Sequence, residues 1–319
     1  MTDSLALVFP GQGSQQVGML RELAERYSVV GTTFEEASEA LGYDLWHVVQ
    51  EGPAEALNTT SCTQPALLAA SVAVWRIWQE LEGPRPKAMA GHSLGEYSAL
   101  VCAGAISFAE GVRLVRLRGE AMQAAVPEGQ GAMAAILGLE DGTVEQACRE
   151  AAEEAGANEV VAAVNYNAPG QVVIAGHRGG VERAIALCQQ AGARRAMPLP
   201  VSVPSHCALM QPAAEQLREA LAGIDMRPPR YEVIQNVDAR AHAETGEIAE
   251  RLVAQLHQPV RWTSCVQALA DDGARVFIEC GPGKVLTGLG KRIVSGSRGL
   301  SVNDPESLTA ALELARETP

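Results

Sequence analysis

Gly91-His92-Ser93-Leu94-Gly95 has the form Gly-x-Ser-x-Gly, in which a serine sits at the tip of a sharp turn between a strand and a helix. Such a turn exposes the serine Oγ as a nucleophile. It also sets the serine at a helix N-terminus, where free backbone N–H groups favour a developing oxyanion. A serine nucleophile needs a base. The chain has six histidines, none paired at a metal-ligand spacing such as His-x-x-x-His, so a zinc site has no support. His206, in Val203-Pro204-Ser205-His206-Cys207, lies in a loop just ahead of a predicted helix from Ala208 and is the candidate base. His92 adjoins Ser93 and projects elsewhere from the turn; His47, His177, His242 and His257 have less distinctive settings.

The hydrolase order Ser…Asp/Glu…His asks for an acid between positions 93 and 206. Glu140, Asp141 and Glu182 are the candidates, yet they fall in a separate unit or on solvated helices. A neutral acceptor, such as a backbone carbonyl, is the alternative orienting group for His206. A second chemical feature follows on the next helix. Leu114, Leu117, Ala121 and Ala125 form an apolar stripe, and Arg118 lies inside it between Val115 and Met122. A core-facing arginine keeps its charge and needs an anion. An internal carboxylate, an exit at the helix edge or an anionic ligand would each serve. Gln12, in the turn Pro10-Gly11-Gln12-Gly13 after the first strand, could present a donor to a ligand. That turn lacks the third glycine of a dinucleotide fingerprint, so a Rossmann site is not expected.

The elements that must hold these residues are legible as an alternation of strands and helices. Leu5 to Phe9 reads as a buried strand and a helix is expected from about Val17. Thr33 to Leu41 reads as a short helix, and Gln64 to Leu81 as a buried one with Pro65 in its first turn. Pro86 to Ala90 is the strand before Ser93, and Ser107 can cap the helix carrying Arg118. Between 131 and 199 the order is strand, helix, strand, strand, helix, strand, with a turn at Asn165 to Gly170. That is the ferredoxin-like split unit. The expected architecture is an α/β hydrolase-like core with a parallel sheet, residues 1–127 and 199–319, and an inserted ferredoxin-like α+β subdomain, residues 128–198.

The 319 residues are 47% hydrophobic and only 4% aromatic, which suits helices of small aliphatic residues packed on a buried sheet. A net charge of −13 argues against general affinity for nucleic acid or anionic membranes. The seven cysteines include no Cys-x-x-Cys and read as reduced core thiols in a cytoplasmic protein. At the N-terminus Leu5 to Phe9 is too short for a signal peptide core, and no apolar stretch approaches the length of a membrane span.

Taken together, Phe9-Pro10-Gly11-Gln12-Gly13-Ser14-Gln15, Gly91 to Ser98, Gln171 to Gly176, Val203 to His206 and Gly281-Pro282-Gly283-Lys284-Val285-Leu286 resemble the malonyl-CoA:acyl carrier protein transacylase family of bacterial type II fatty acid synthesis. The resemblance spans nearly the whole chain, and several motifs in the same order are far more specific than any one. It implies ping-pong acyl transfer through a malonyl ester on Ser93, with His206 as base. It implies that Gln12 and the Leu94 N–H form the oxyanion hole, that Arg118 binds the malonyl carboxylate and that the Gln255 main-chain carbonyl orients His206. It further implies a coenzyme A thioester as substrate with no cofactor and no metal, acyl carrier protein as partner, and a monomer. The carrier proteins are acidic, so a local basic patch is expected, with Lys291 and Arg292, or Arg113 and Arg116, as candidates. A serine esterase and a non-catalytic carrier-docking module are the competing readings; an esterase gives no reason for a core-facing arginine.

Overall fold

A computed structural model describes residues 4–155, 159–201 and 203–317. The chain opens with β1 (Leu5–Phe9), then α1 (Arg21–Arg26), α2 (Ser28–Leu41), α3 (Leu45–Glu51), α4 (Ala54–Leu57) and α5 (Thr60–Glu80). β2 (Ala88–Gly91), α6 (Leu94–Cys102) and α7 (Phe108–Ala125) follow. The next stretch holds β3 (Gly131–Leu137), α8 (Asp141–Ala155), β4 (Val161–Ala168), β5 (Gln171–His177), α9 (Arg178–Gln190) and β6 (Arg195–Pro198). After a 3-10 turn at Ala208–Met210 come α10 (Gln211–Leu221), β7 (Glu232–Ile234), α11 (Thr245–His257) and α12 (Trp262–Asp271). β8 (Val276–Cys280), α13 (Val285–Ile293), β9 (Arg298–Val302) and α14 (Pro305–Arg316) complete the order.

The fold is an α/β hydrolase-like core with a small second subdomain. Its main sheet has five parallel strands in the order β7-β2-β1-β8-β9. Helices cover both faces, which is why β1 reads as an unbroken apolar run. Leu5, Leu7 and Phe9 enter the larger core with α5, α6 and α7, whereas Ala6 and Val8 pack towards α12 and α13. Because every strand points the same way, the turns after β1, β2, β7 and β8 gather at one edge of the sheet, where open α/β sheets bind ligands. Ser93, Gln12 and Asn236 all lie in turns at that edge.

The second sheet is antiparallel, β4-β5-β3-β6, with α8 and α9 buried on one face. Its other face, Met133, Val164, Val173 and Ala175, packs on Cys207 beside His206. Edge strand β4 is bound to the main body: Tyr166 N–H donates to Val260 O (3.0 Å) and Val260 N–H to Val164 O (2.8 Å).

The structure departs from the sequence reading at several elements. The helix expected from Val17 begins only at Arg21, because Gly18 and Leu20 hold positive φ of 84° and 61°. Pro65 lies inside α5, which starts five residues earlier at Thr60. The expected turn at Asn165 is strand as far as Ala168, with the ladder shifted at Ala163/Asn165 and Tyr166/Ala168, since Val260 supplies the partners a turn would have left unmet. All seven cysteines are buried and unpaired. Among the described residues no helix is long and apolar enough to cross a membrane.

Candidate active site

The elbow is built by close approach. A Cβ on Gly91 would lie 1.9 Å from the Gly95 carbonyl, and one on Gly95 would lie 2.1 Å from Phe9 O, so neither position admits a side chain. The turn carries Ser93 at φ 52°, ψ −107°. Such a conformation costs about 1–3 kcal/mol for a residue with a Cβ and persists only where neighbours hold it. Here they do. Asn236 Oδ1 accepts from Ser93 N–H (2.8 Å) while its Nδ2 donates to Gly91 O (2.8 Å). Gln255 Nε2 donates to Ser93 O (2.9 Å). His92, neutral through burial, donates from Nε2 to Asn167 Oδ1 (2.8 Å) and ties the elbow to β4.

Ser93 Oγ lies 2.8 Å from His206 Nε2. On the far side of the ring, His206 Nδ1 lies 2.6 Å from Gln255 O. A carbonyl only accepts, so Nδ1 carries the proton and Nε2 offers its lone pair to the serine hydroxyl. Burial first, and the charge of Arg118 second, push His206 down to about 3, although the Gln255 bond pulls the other way. The imidazole is therefore a neutral acceptor around neutrality. Glu140, Asp141 and Glu182 lie on or beside α8 and α9, and none bonds to this histidine.

This depressed value has a consequence for stability. Between pH 6.5 and about 3 the unfolded chain binds a proton that folded His206 does not, so acidification through that window removes stability. Lowering the pH from about 7 to about 4 is expected to shift the melting temperature of wild type downward relative to His206→Gln. A difference that stays constant across the range would refute the depressed state.

Arg118 is buried at the middle of α7 and faces the elbow. Its Nη2 donates to Ser93 Oγ (3.2 Å) and to Gln255 Oε1 (3.0 Å), and its Nη1 to Gln64 Oε1 (2.9 Å). Its guanidinium carbon stands 5.2 Å from the Tyr97 ring centre. Among the described residues no carboxylate forms an ion pair with it. Of the three partners open to a core-facing arginine, burial excludes an exit to solvent and no carboxylate bonds to it directly; Glu96, also buried, acts on it through charge alone.

Leu94 is the first residue of α6, so its N–H has no carbonyl one turn back to accept it. Gln12 is exposed in the turn after β1, next to Gly11, which packs on the His92 carbonyl. Of the basic side chains singled out, Arg292 is held by Pro169 O and Gln171, and Arg116 by Leu41 O and Glu120; Lys291 and Arg113 are exposed.

Sequence reasoning missed a buried polar layer beneath the elbow. Glu96 Oε2 accepts from Asn236 N–H (2.8 Å) and Gln255 Nε2 (3.0 Å), and its Oε1 from Gln235 Nε2 (2.9 Å). Burial lifts its carboxyl to about 7 against the pull of those donors and of Arg118. Ser93-x-x-Glu96 has the form of a helix capping box, which masks that role; the serine makes no such cap here. Gln64 was visible as a polar residue in a helix apolar nearly all round.

The acyl transferase domain family matches residues 6–311. The malonyl CoA-acyl carrier protein transacylase of Escherichia coli (strain K12) is 59% identical over 309 residues, 97% of this chain and 99% of that protein. The crystal structure of an acyl carrier protein S-malonyltransferase from Vibrio cholerae superposes with a TM-score of 0.94 at 59% identity, covering 96% of this chain and 99% of that one. A malonyl-transacylase solved in complex with its type II PKS acyl-carrier protein superposes at a TM-score of 0.95 and 56% identity, over 98% of this chain and 99% of that one. This extent of match, with a serine elbow and a facing arginine in one site, means that the chain belongs to the acyl transferase family, among the malonyl CoA-acyl carrier protein transacylases.

Proposed function

We propose that this chain moves a malonyl group from malonyl-CoA to the phosphopantetheine thiol of acyl carrier protein, supplying fatty acid synthesis, through a malonyl ester on Ser93. The observation that carries the reading is Arg118: a buried guanidinium, without a carboxylate partner, reaching the Oγ of an elbow serine. A fork of donors matches the free carboxylate of a malonyl group.

In the proposed cycle Ser93 and His206 act as a pair in both half-reactions. His206 Nε2 takes the Oγ proton as Oγ attacks the thioester carbonyl, and the charge on the carbonyl oxygen is received by the Leu94 N–H and Gln12. The C–S bond breaks and the coenzyme A sulfur leaves with the proton from His206. The carrier thiol then gives its proton to His206 and attacks the ester; Ser93 leaves and takes that proton back. Gln255 O steadies the imidazolium through Nδ1–H, the part a triad acid plays elsewhere. Arg118 holds the carboxylate in both half-reactions. The cycle needs no cofactor and no metal, and we assign it to a monomer in the cytoplasm.

The test separates the half-reactions. Chain loaded with malonyl-CoA and freed of coenzyme A is expected to gain one malonyl group by intact mass, then lose it to added holo acyl carrier protein. An acyl group that only hydrolyses points to an esterase. No acyl group at all points to a docking module.

A further inference from the structure

The groups that hydrogen-bond Arg118 are all neutral, and the buried Glu96 acts on it only through space. Gln64 Oε1 takes Nη1 at 2.9 Å, Gln255 Oε1 takes Nη2 at 3.0 Å, and the Tyr97 ring lies beside them. Gln64 is fully buried on α5, where its Nε2 has only the weak acceptor Met122 Sδ, 3.6 Å away. A buried guanidinium is most simply satisfied by a carboxylate. An amide oxygen fixes its direction yet leaves its charge unmatched.

We propose that Gln64 is a specificity-determining positioning residue: it fixes the Arg118 guanidinium against Ser93 without neutralising it, so the charge remains for the carboxylate of the incoming acyl group. This rests on the reading of Arg118 as the malonyl carboxylate ligand. Gln255 shares the task from α11, but its main-chain carbonyl also holds His206 and its Nε2 also holds Ser93 O, so changing it disturbs the base and the elbow. Gln64 touches neither. Its one bond to the site is the bond to Arg118, which makes it the position where orientation and neutralisation can be separated from chemistry.

The decisive change is Gln64→Glu, which keeps length and shape and sets a carboxylate where the amide oxygen now lies. The facing guanidinium favours its ionised form. The internal pair then competes with the acyl carboxylate. The readout is the ratio of specificity constants for malonyl-CoA and acetyl-CoA at about pH 8, where carboxylates are ionised. Gln64→Glu is expected to lower that ratio on the order of 100-fold, as loss of a buried charge pair does. Gln64→Met, which loosens the guanidinium but leaves it charged, is expected to lower it less, chiefly through a higher KM for malonyl-CoA. A residue that merely supports the fold would lower both constants together and leave the ratio in place.

The same ratio is read in Arg118→Ala and in the double variant Gln64→Glu/Arg118→Ala, with thermal melts on each. Non-additivity is expected: once Arg118 is gone, Gln64→Glu has no further effect on the ratio. If Arg118→Ala leaves the ratio intact, the carboxylate-ligand reading itself fails. If Arg118→Ala collapses the ratio while a folded Gln64→Glu preserves it, Gln64 has no part in selectivity. Should Gln64→Glu not fold, an unchanged ratio in Gln64→Met overturns the proposal equally.

Discussion

Ser93→Ala is expected to take up no malonyl group and to lose transfer by about four to six orders of magnitude. The expectation follows from geometry. Oγ is the atom that His206 Nε2 faces, at 2.8 Å. Alanine keeps the Cβ, so the backbone at φ 52° is no worse placed than before, and Arg118 Nη2 retains Gln255 Oε1. The variant should therefore fold, which a thermal melt checks. His206→Ala is expected to acylate slowly rather than not at all, because Oγ, the helix N-terminus and Arg118 remain. Intact mass after incubation with malonyl-CoA reads both variants. Wild-type labelling of Ser93→Ala would remove the serine from the mechanism.

Replacing Arg118 by alanine is expected to lower the specificity constant for malonyl-CoA by about 30- to several-thousandfold, the cost of removing one partner of a buried charge pair. Acetyl-CoA has no second carboxylate and is expected to lose little or to gain. The gain has a cause in the site: the Arg118 charge is the second reason His206 is a weak base, and Arg118 also donates to the nucleophile itself. Removing it frees both groups. On the proposed reading a malonyl carboxylate would do the same in wild type by matching the charge, so the acyl group that fits would also strengthen the base that takes the Ser93 proton. Arg118→Lys is expected to recover part of the malonyl rate, since an ammonium keeps the charge and loses the fork. Equal losses on both substrates in a folded Arg118→Ala would sink the carboxylate role.

Much of the framework was legible because it rests on local rules. β1 is an unbroken apolar run, and a strand buried on both faces must be one. The cap of α7 lies at Ser107, whose side chain accepts from Glu110 N–H as its type predicts. The order of elements in the second sheet was also readable from alternating periods. Other elements were not. α12 and β9 drew no reading at all: α12 packs Cys265 and Trp262 into the lower core, and β9 finds its place only by pairing with β8. The extension of β4 past Asn165 depends on Val260, almost a hundred residues away in the chain, and no local signal records that partner.

Residue types along the chain set the chemistry available at each point: a serine between obligatory glycines, a loop histidine, an arginine on an apolar helical face. Those are local facts, set by which residues a tight turn or a buried stripe admits. Which of these groups meet is settled by packing between distant parts of the chain. His206 is 113 positions from Ser93 and Gln255 a further 49, and they come within hydrogen-bond distance because the loop ahead of α10 is pinned to α11 (His206 N–H to Leu256 O, 3.0 Å) while Gln255 on α11 bonds the turn after β2. The tertiary structure alone also showed what Arg118 lacks. Whether a buried charge has a counter-ion depends on the side chains that surround it in space, and here those bonded to it are amides and a hydroxyl, with an aromatic ring beside them and Glu96 acting only through its charge.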